Sequence, residues 1–196
     1  MQIEDAIYSD GFHIIDNFLE PAYYQALQIL AEQMFNAGQF RSAKIGHQFN
    51  AAHAPTIRND KICWLDDDSS HESIQIYLAK IRTLAETLNQ TLFLGLVDFE
   101  THFSIYQSGS FYKKHIDQFA TMQERRISCV YYLNNDWHES FGGQLTLYDK
   151  KNQRLAQVLP QGNRLICFSS DLPHEVCETK QTRYSLAGWM KTRPLC

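Results

Sequence analysis

His115 and Asp117 stand two residues apart in the run Phe111-Tyr-Lys-Lys-His115-Ile-Asp117, and His174 follows in Asp171-Leu-Pro-His174-Glu-Val176. If the first run is a strand, residues two apart share a face, so an imidazole nitrogen and a carboxylate oxygen can aim at one point. His174, on a later strand, supplies a third donor. Two histidines and one carboxylate that leave coordination positions open form the facial triad of non-haem iron(II) sites. Zinc accepts similar donors, so the donor types leave the metal open. An isolated H-x-D pair is more often a surface histidine beside a solvated aspartate, and Pro173 beside His174 can mark an ordinary turn. Arg183 changes the weighing. It lies nine residues past His174, at the start of Arg183-Tyr-Ser-Leu-Ala-Gly-Trp189, where a hairpin return brings it into the same pocket one strand over. Its planar fork grips a carboxylate through two parallel hydrogen bonds. The implied ligand chelates the metal at one end and carries a carboxylate at the other.

These residues need a scaffold, and the pattern along the chain changes from helices to strands. Glu20-Pro21 can open a helix, since proline is tolerated in the first turn, and Tyr23, Leu27, Leu30 and Met34 mark one apolar face. Ser69 and Glu72 have capping-box spacing, followed by the stripe Ile74, Tyr77, Ile81, Leu84 and Leu88. Between these helices, residues 36–68 are polar and mixed apart from the strand-like Lys61–Leu65. A connection this long is usually functional. From residue 93 the period approaches two, with strands predicted at 97–107, 111–118, 126–133, 143–149, 155–159, 164–169, 173–177 and 183–190. Asn134-Asn-Asp136, Gly142-Gly143, Lys150-Lys-Asn152 and Gln161-Gly-Asn163 separate several of them. So many short strands predict a sandwich or barrel of the jelly-roll type, in a mainly β (α+β) chain with the early helices covering one sheet. One domain over 1–196 is expected, with helical support at about 17–92 and the jelly-roll core at about 93–191.

Composition sets outer bounds. With 44% hydrophobic and 20% charged residues the chain is an ordinary globular one, and its 13% aromatic content suits a pleated core. A formal charge of -4 disfavours a phosphate-backbone partner. The five cysteines (Cys63, Cys129, Cys167, Cys177, Cys196) form no C-x-x-C pair, and Cys129 and Cys167 sit in apolar runs as core thiols do. A reducing compartment is expected, with the cytoplasm as default, because Met1-Gln-Ile-Glu-Asp5 shows no secretory signal and no apolar run is long enough to span a membrane.

Several segments in order resemble one family. Tyr112-Lys-Lys-His115-Ile-Asp117, Cys129-Val-Tyr-Tyr132-Leu-Asn-Asn-Asp-Trp137, Gly142-Gly143-Gln-Leu145, Pro173-His174-Glu-Val176 and Arg183-Tyr-Ser-Leu-Ala-Gly-Trp189 resemble the prolyl hydroxylase branch of the iron(II) and 2-oxoglutarate-dependent oxygenases. The similarity is to the hypoxia-inducible-factor prolyl hydroxylases and their bacterial relatives. Ile57-Arg58-Asn-Asp60-Lys61-Ile-Cys-Trp64 resembles the same subgroup. The resemblance implies a double-stranded β-helix with N-terminal helices, and iron held by His115, Asp117 and His174. It assigns the distal carboxylate of 2-oxoglutarate to Arg183 and Tyr132, with Tyr106, Leu145 and Trp189 lining that pocket. Arg58 and Asp60 fall in a loop that closes over protein substrate in the relatives.

The implied reaction is hydroxylation of a prolyl residue in a protein or peptide, using O2 and releasing succinate and CO2, with ascorbate as a candidate reductant. Each supporting residue also has a plainer reading: Tyr132 and Trp189 as core, and Arg58 with Asp60 as a surface ion pair. His71, His102 and His138 match no motif and are read as non-ligands. Two rival functions remain. A nucleic-acid demethylase on this scaffold resembles a pattern with a second arginine where Trp189 stands. A non-catalytic jelly-roll module, binding metal or a protein partner, keeps the fold without turnover.

Overall fold

Alternation of side chains across strands divides the residues of this chain between two faces, and the division builds the architecture. The computed structural model describes residues 2–45, 53–65, 69–118 and 123–194. In order these are α1 (Ile3–Ser9), β1 (Phe12–Ile15), α2 (Pro21–Asn36), β2 (Arg41–Ser42), β3 (Lys61–Trp64), α3 (Glu72–Leu92), β4 (Asp98–Tyr106), β5 (Tyr112–His115), β6 (Arg125–Tyr132), β7 (Leu145–Tyr148), β8 (Arg154–Val158), β9 (Leu165–Ser169), β10 (His174–Val176) and β11 (Arg183–Lys191). A seven-stranded sheet runs β1-β9-β6-β11-β4-β3-β2, and a four-stranded sheet runs β5-β10-β7-β8. Every strand pairing in both is antiparallel. This is the jelly-roll arrangement expected of the sequence.

On β4, Phe103 and Ile105 face the helices, while His102, Ser104 and Tyr106 face inward. On β11, Leu186 and Met190 face the helices, while Arg183, Ser185 and Trp189 face inward. The outward residues join Leu27, Leu30, Ile74, Tyr77, Ile81 and Leu88 in one core, so α2 and α3 cover the large sheet. Ile81 is fully buried there, and its truncation to alanine costs about 2–5 kcal/mol. A second core of Tyr132, Leu145, Leu147, Ile166, Phe168 and Val176 fills the space between the sheets.

Both predicted helices form, but the capping box does not. His71 occupies the N-cap of α3 with no side-chain bond. Ser69 is used otherwise: its hydroxyl accepts from His71 N at 3.4 Å and its carbonyl from Gln75 Nε2 at 2.9 Å. The turn at Gln161-Gly-Asn163 works harder than a surface turn. Asn163 has φ 59°, and its amide exchanges bonds with Leu19 at 2.9 and 2.8 Å while accepting from Tyr131 at 2.8 Å. It ties the N-terminal segment to the sheet. Cys129 and Cys167 are buried free thiols opposite each other on β6 and β9. No helix among the described residues is long and apolar enough to cross a membrane.

Candidate active site

The small sheet delivers the histidines. His115 on β5 and His174 on β10 are direct cross-strand partners. Each Nδ1 faces a backbone carbonyl two residues back, His115 to Lys113 at 2.8 Å and His174 to Leu172 at 2.9 Å. A carbonyl can only accept, so each Nδ1 carries the proton and each Nε2 keeps its lone pair free. Both Nε2 atoms converge on Asp117, at 3.5 Å for His115 and 3.4 Å for His174.

One expectation needs correction. β5 ends at His115, so Asp117 reaches the site from the bend after the strand and not as its next same-face residue. Its carboxylate is oriented by Ser128 Oγ, which donates at 2.7 Å and is itself linked to Ser170 Oγ at 2.9 Å. Ser128 carries no motif; only its inward phase on β6, shared with Val130 and Tyr132, could have marked it.

The ligand atoms of His115, Asp117 and His174 lie within 4.8 Å of one another, the one such group among the described residues. Burial acts to raise the Asp117 carboxyl, but facing His174, His115 and the Ser128 hydroxyl hold it well below the usual carboxylate range. Burial, aided by His115, pushes His174 down to about 4 against the pull of Asp117. At neutral pH the site therefore presents the Asp117 carboxylate and the Nε2 lone pair of His174. That donor set fits a divalent metal with open positions.

Arg183 lies in the same cavity of about 160 Å3, but not by the expected hairpin one strand over: β10 belongs to the small sheet and β11 to the large one, so Arg183 arrives from the facing sheet. It is 1% exposed, and its guanidinium Cζ lies 4.9 Å and 5.0 Å from the ring centroids of Tyr106 and Tyr132. Nη1 donates to Ser185 Oγ at 3.2 Å. Its Nε and the Tyr132 hydroxyl are both buried and, among the described residues, meet no hydrogen-bond partner in regular geometry. Burial raises Tyr132 against the opposing charge of Arg183, keeping it a neutral donor. A guanidinium with an unused Nε and no ion pair to a described carboxylate, beside the Tyr132 hydroxyl, fits a carboxylate ligand. The Gly142-Gly143 turn makes room. Both residues have positive φ, 72° and 70°, and a Cβ on Gly143 would sit 3.1 Å from Arg183 Cδ.

Tyr106, Leu145 and Trp189 line the same cavity. Trp189 belongs to an aromatic cluster with half-exposed Trp64, at 6.3 Å, and buried His102, at 5.5 Å, and Arg125 Cζ lies 3.6 Å over its ring. His102 is no triad member, yet it is part of the wall. Burial, with Arg58 and Arg125 nearby, pushes it down to about 3, so it is neutral. His138 lies elsewhere, capping the 3-10 turn Glu139–Phe141. Arg58 and Asp60 are not a surface pair: their side chains are 12% and 0% exposed. A larger cavity of about 260 Å3 lies between α3 and residues 96–99. None of the triad residues lines it, so volume alone does not mark the site.

Comparisons with known proteins agree with this geometry. Residues 101–191 match the model of the 2OG-Fe(II) oxygenase superfamily. A Pseudomonas putida prolyl-4-hydroxylase structure superposes with TM-score 0.87 at 34% identity, covering 97% of both chains. A Trichoplax adhaerens prolyl hydroxylase, solved with a hypoxia-inducible-factor oxygen degradation domain peptide fragment, gives TM-score 0.86 at 27% identity over 96% of this chain and 87% of that one. Human Egl nine homolog 1 is 27% identical over 91% of this chain and 43% of its own length. The chain spans about half or less of that relative, its rat counterpart and the Caenorhabditis elegans hypoxia-inducible factor prolyl hydroxylase, at 43%, 54% and 26%.

Proposed function

Because the chain belongs to the 2OG-Fe(II) oxygenase superfamily, in its prolyl hydroxylase-like branch, we propose that it hydroxylates a prolyl residue of a protein or peptide. The observation that carries the reading is the pairing, in one cavity, of the His115-Asp117-His174 group with a buried arginine that has no carboxylate partner among the described residues. When bound, iron(II), 2-oxoglutarate and O2 would supply the chemistry: oxidative decarboxylation of 2-oxoglutarate to succinate and CO2 would take one oxygen atom of O2, and the other would enter a substrate C–H bond.

The chain's own residues bind and orient. His115, Asp117 and His174 hold the metal, with Ser128 fixing the carboxylate and the two backbone carbonyls fixing the imidazole tautomers. Arg183 takes the far carboxylate of 2-oxoglutarate, and the Tyr132 hydroxyl adds a donor from the neighbouring strand. Tyr106 flanks the guanidinium, and Leu145, Phe168 and Val176 give the cavity an apolar wall that keeps water out. The half-exposed Trp64 and its neighbour Trp189 form the surface that meets the substrate, backed by the buried His102 ring. The segment carrying Arg58 and Asp60 borders it. We place this activity in one domain and in a reducing compartment, the cytoplasm, as the free buried thiols suit.

The first test is spectroscopic. Anaerobic protein with iron(II) and 2-oxoglutarate should give a visible charge-transfer band that is lost in His174→Ala and needs more 2-oxoglutarate in Arg183→Ala. Succinate release stimulated by proline-containing peptides follows. A folded, iron-loaded protein without the band would leave a non-catalytic jelly-roll module as the better account.

A further inference from the structure

The segment carrying Arg58 and Asp60 is anchored to the large sheet at one end and pressed onto the metal-site strand at the other. The Asp60 carboxylate accepts from Ser104 Oγ on β4 at 3.1 Å. It also accepts a two-pronged bond from Arg58, at 2.8 Å from Nε and 2.6 Å from Nη2. Held this way, the guanidinium lies over the Tyr112 ring, Cζ 4.3 Å from its centroid. The backbone joins the same contact: Arg58 bridges Tyr112, Lys113 N donates to Ile57 O at 2.9 Å, and Asn59 N donates to Phe111 O at 3.3 Å. Tyr112 in turn lies flat on His115, ring centroids 3.5 Å apart at 12°, and His174 lies against His115 at 4.2 Å.

That stack depends on an irregularity. His174 pairs with His115 while Val176 pairs with Tyr112, so between them one residue of β10, Glu175, opposes two of β5, Lys113 and Lys114. On a regular strand, residues three apart point to opposite faces; the bulge turns Tyr112 onto the face of His115. The hydrogen bond from His115 Nδ1 to Lys113 O fixes only one edge of the imidazole. The ring can still pivot about that bond, and a flat plate against its face removes the pivot.

We propose that Arg58 and Tyr112 are positioning residues for the metal. Arg58, locked by Asp60, holds Tyr112 flat on His115 and so sets the angle at which Nε2 meets the ion. The proposal rests on the reading of His115 as a metal ligand, and it gives buried Asp60 an anchoring task and no contact with substrate. The metal alone is a sufficient probe. Cobalt(II) titrated into the folded protein without 2-oxoglutarate reports affinity and ligand geometry through its visible absorption, with thermal melting as the check on folding.

Tyr112→Phe keeps the plate and should bind cobalt as the wild type does. Tyr112→Leu removes it and should bind about 10-fold more weakly with an altered spectrum. Arg58→Lys keeps a charge beside Asp60, protecting the fold, but loses the planar fork; a loss of about 2- to 5-fold is expected. Because Arg58 acts through Tyr112, Arg58→Lys should add nothing in the Tyr112→Leu background. Wild-type cobalt binding in folded Tyr112→Leu or Arg58→Lys, or a full additive loss in the double variant, overturns the proposal. Absence of cobalt binding by the wild type instead overturns the ligand reading beneath it.

Discussion

Arg183→Met should raise the melting temperature of the ligand-free protein and abolish its stabilisation by 2-oxoglutarate. The two signs follow from its surroundings: the guanidinium is 1% exposed, donates from Nη1 to Ser185 Oγ at 3.2 Å, and forms no ion pair with a described carboxylate. Replacing a buried ionic group with an apolar side chain of similar length gains about 1–4 kcal/mol in favourable cases. The rings of Tyr106 and Tyr132 already stabilise the cation, by about 0.5–2 kcal/mol. The net gain is about 1–2 kcal/mol, or roughly 3–6 °C for a chain of this size.

With the ligand the order reverses. With manganese(II) supplied in place of iron and O2 excluded to prevent turnover, 2-oxoglutarate at 100 times its Kd should stabilise the wild type by about 2.7 kcal/mol, roughly 5–10 °C. The variant loses charge-assisted hydrogen bonds together worth about 3 kcal/mol or more, over a hundredfold in affinity, and should show no shift at the same concentration. Differential scanning fluorimetry of both proteins, with and without 2-oxoglutarate, reads all four values. A lower melting temperature for the ligand-free variant would refute the claim that Arg183 is an uncompensated buried cation. A wild-type shift in the variant would refute its role as the carboxylate anchor.

Two further outcomes follow from the same cavity. His102 is pushed from 6.5 to about 3, so below pH 6.5 the unfolded chain takes up a proton that the folded chain refuses. Stability therefore falls with pH across that window, by about 2 kcal/mol at pH 5. Facing Asp60 and Asp117 limit the shift, and Arg58 and Arg125 add to it. Urea denaturation of His102→Phe should show that much less loss between pH 7.5 and 5, and an unchanged loss would show that His102 does not stay neutral. Gly143→Ala forces a side chain into φ +70°, with its Cβ 3.1 Å from Arg183 Cδ and from Thr179 Oγ1. The 2-oxoglutarate KM should rise several-fold and the melting temperature fall, as strain of about 1–2 kcal/mol implies; an unchanged KM would mean that the arginine stem absorbs the contact.

What the sequence disclosed depended on whether the signal was local. The strands from β4 onward were legible through contrasts contained within one strand, as where Phe103 and Ile105 alternate with His102, Ser104 and Tyr106. The cavity residues with distinctive chemistry, His115, His174 and Arg183, were legible by type and order, but the hairpin expected between His174 and Arg183 does not form: β10 lies in the small sheet and β11 in the large one, so Arg183 enters the cavity from the facing sheet. β1 was not, since all four of its residues are half-buried and show no alternation. The β5 bulge was not, because register belongs to a pair of strands and no period in one of them reveals it. The burial of Asp60 was equally hidden: its partner Ser104 lies 44 residues away, and Arg58-x-Asp60 looks the same in a solvated loop.

The charges inside the cavity also constrain what can fill it. Lys44 lines the cavity but is exposed to solvent, Arg58 is matched by Asp60 and Arg125 by Glu100, the two pairs at 2.6 Å each. Asp117 is left facing histidines at one place and Arg183 facing aromatic rings at another, with no mutual ion pair between them. In a cavity screened from water each must be neutralised locally, because a buried charge is costly wherever its counter-charge is distant. A divalent metal over Asp117 leaves one positive charge, which a chelating carboxylate cancels. Arg183 requires a second carboxylate at its own position. A monocarboxylate satisfies one place and leaves the other charged; a dicarboxylate long enough to reach both satisfies each. On this reading 2-oxoglutarate is selected over shorter or monoanionic 2-oxo acids by electrostatics, and pyruvate should fail to replace it even at high concentration.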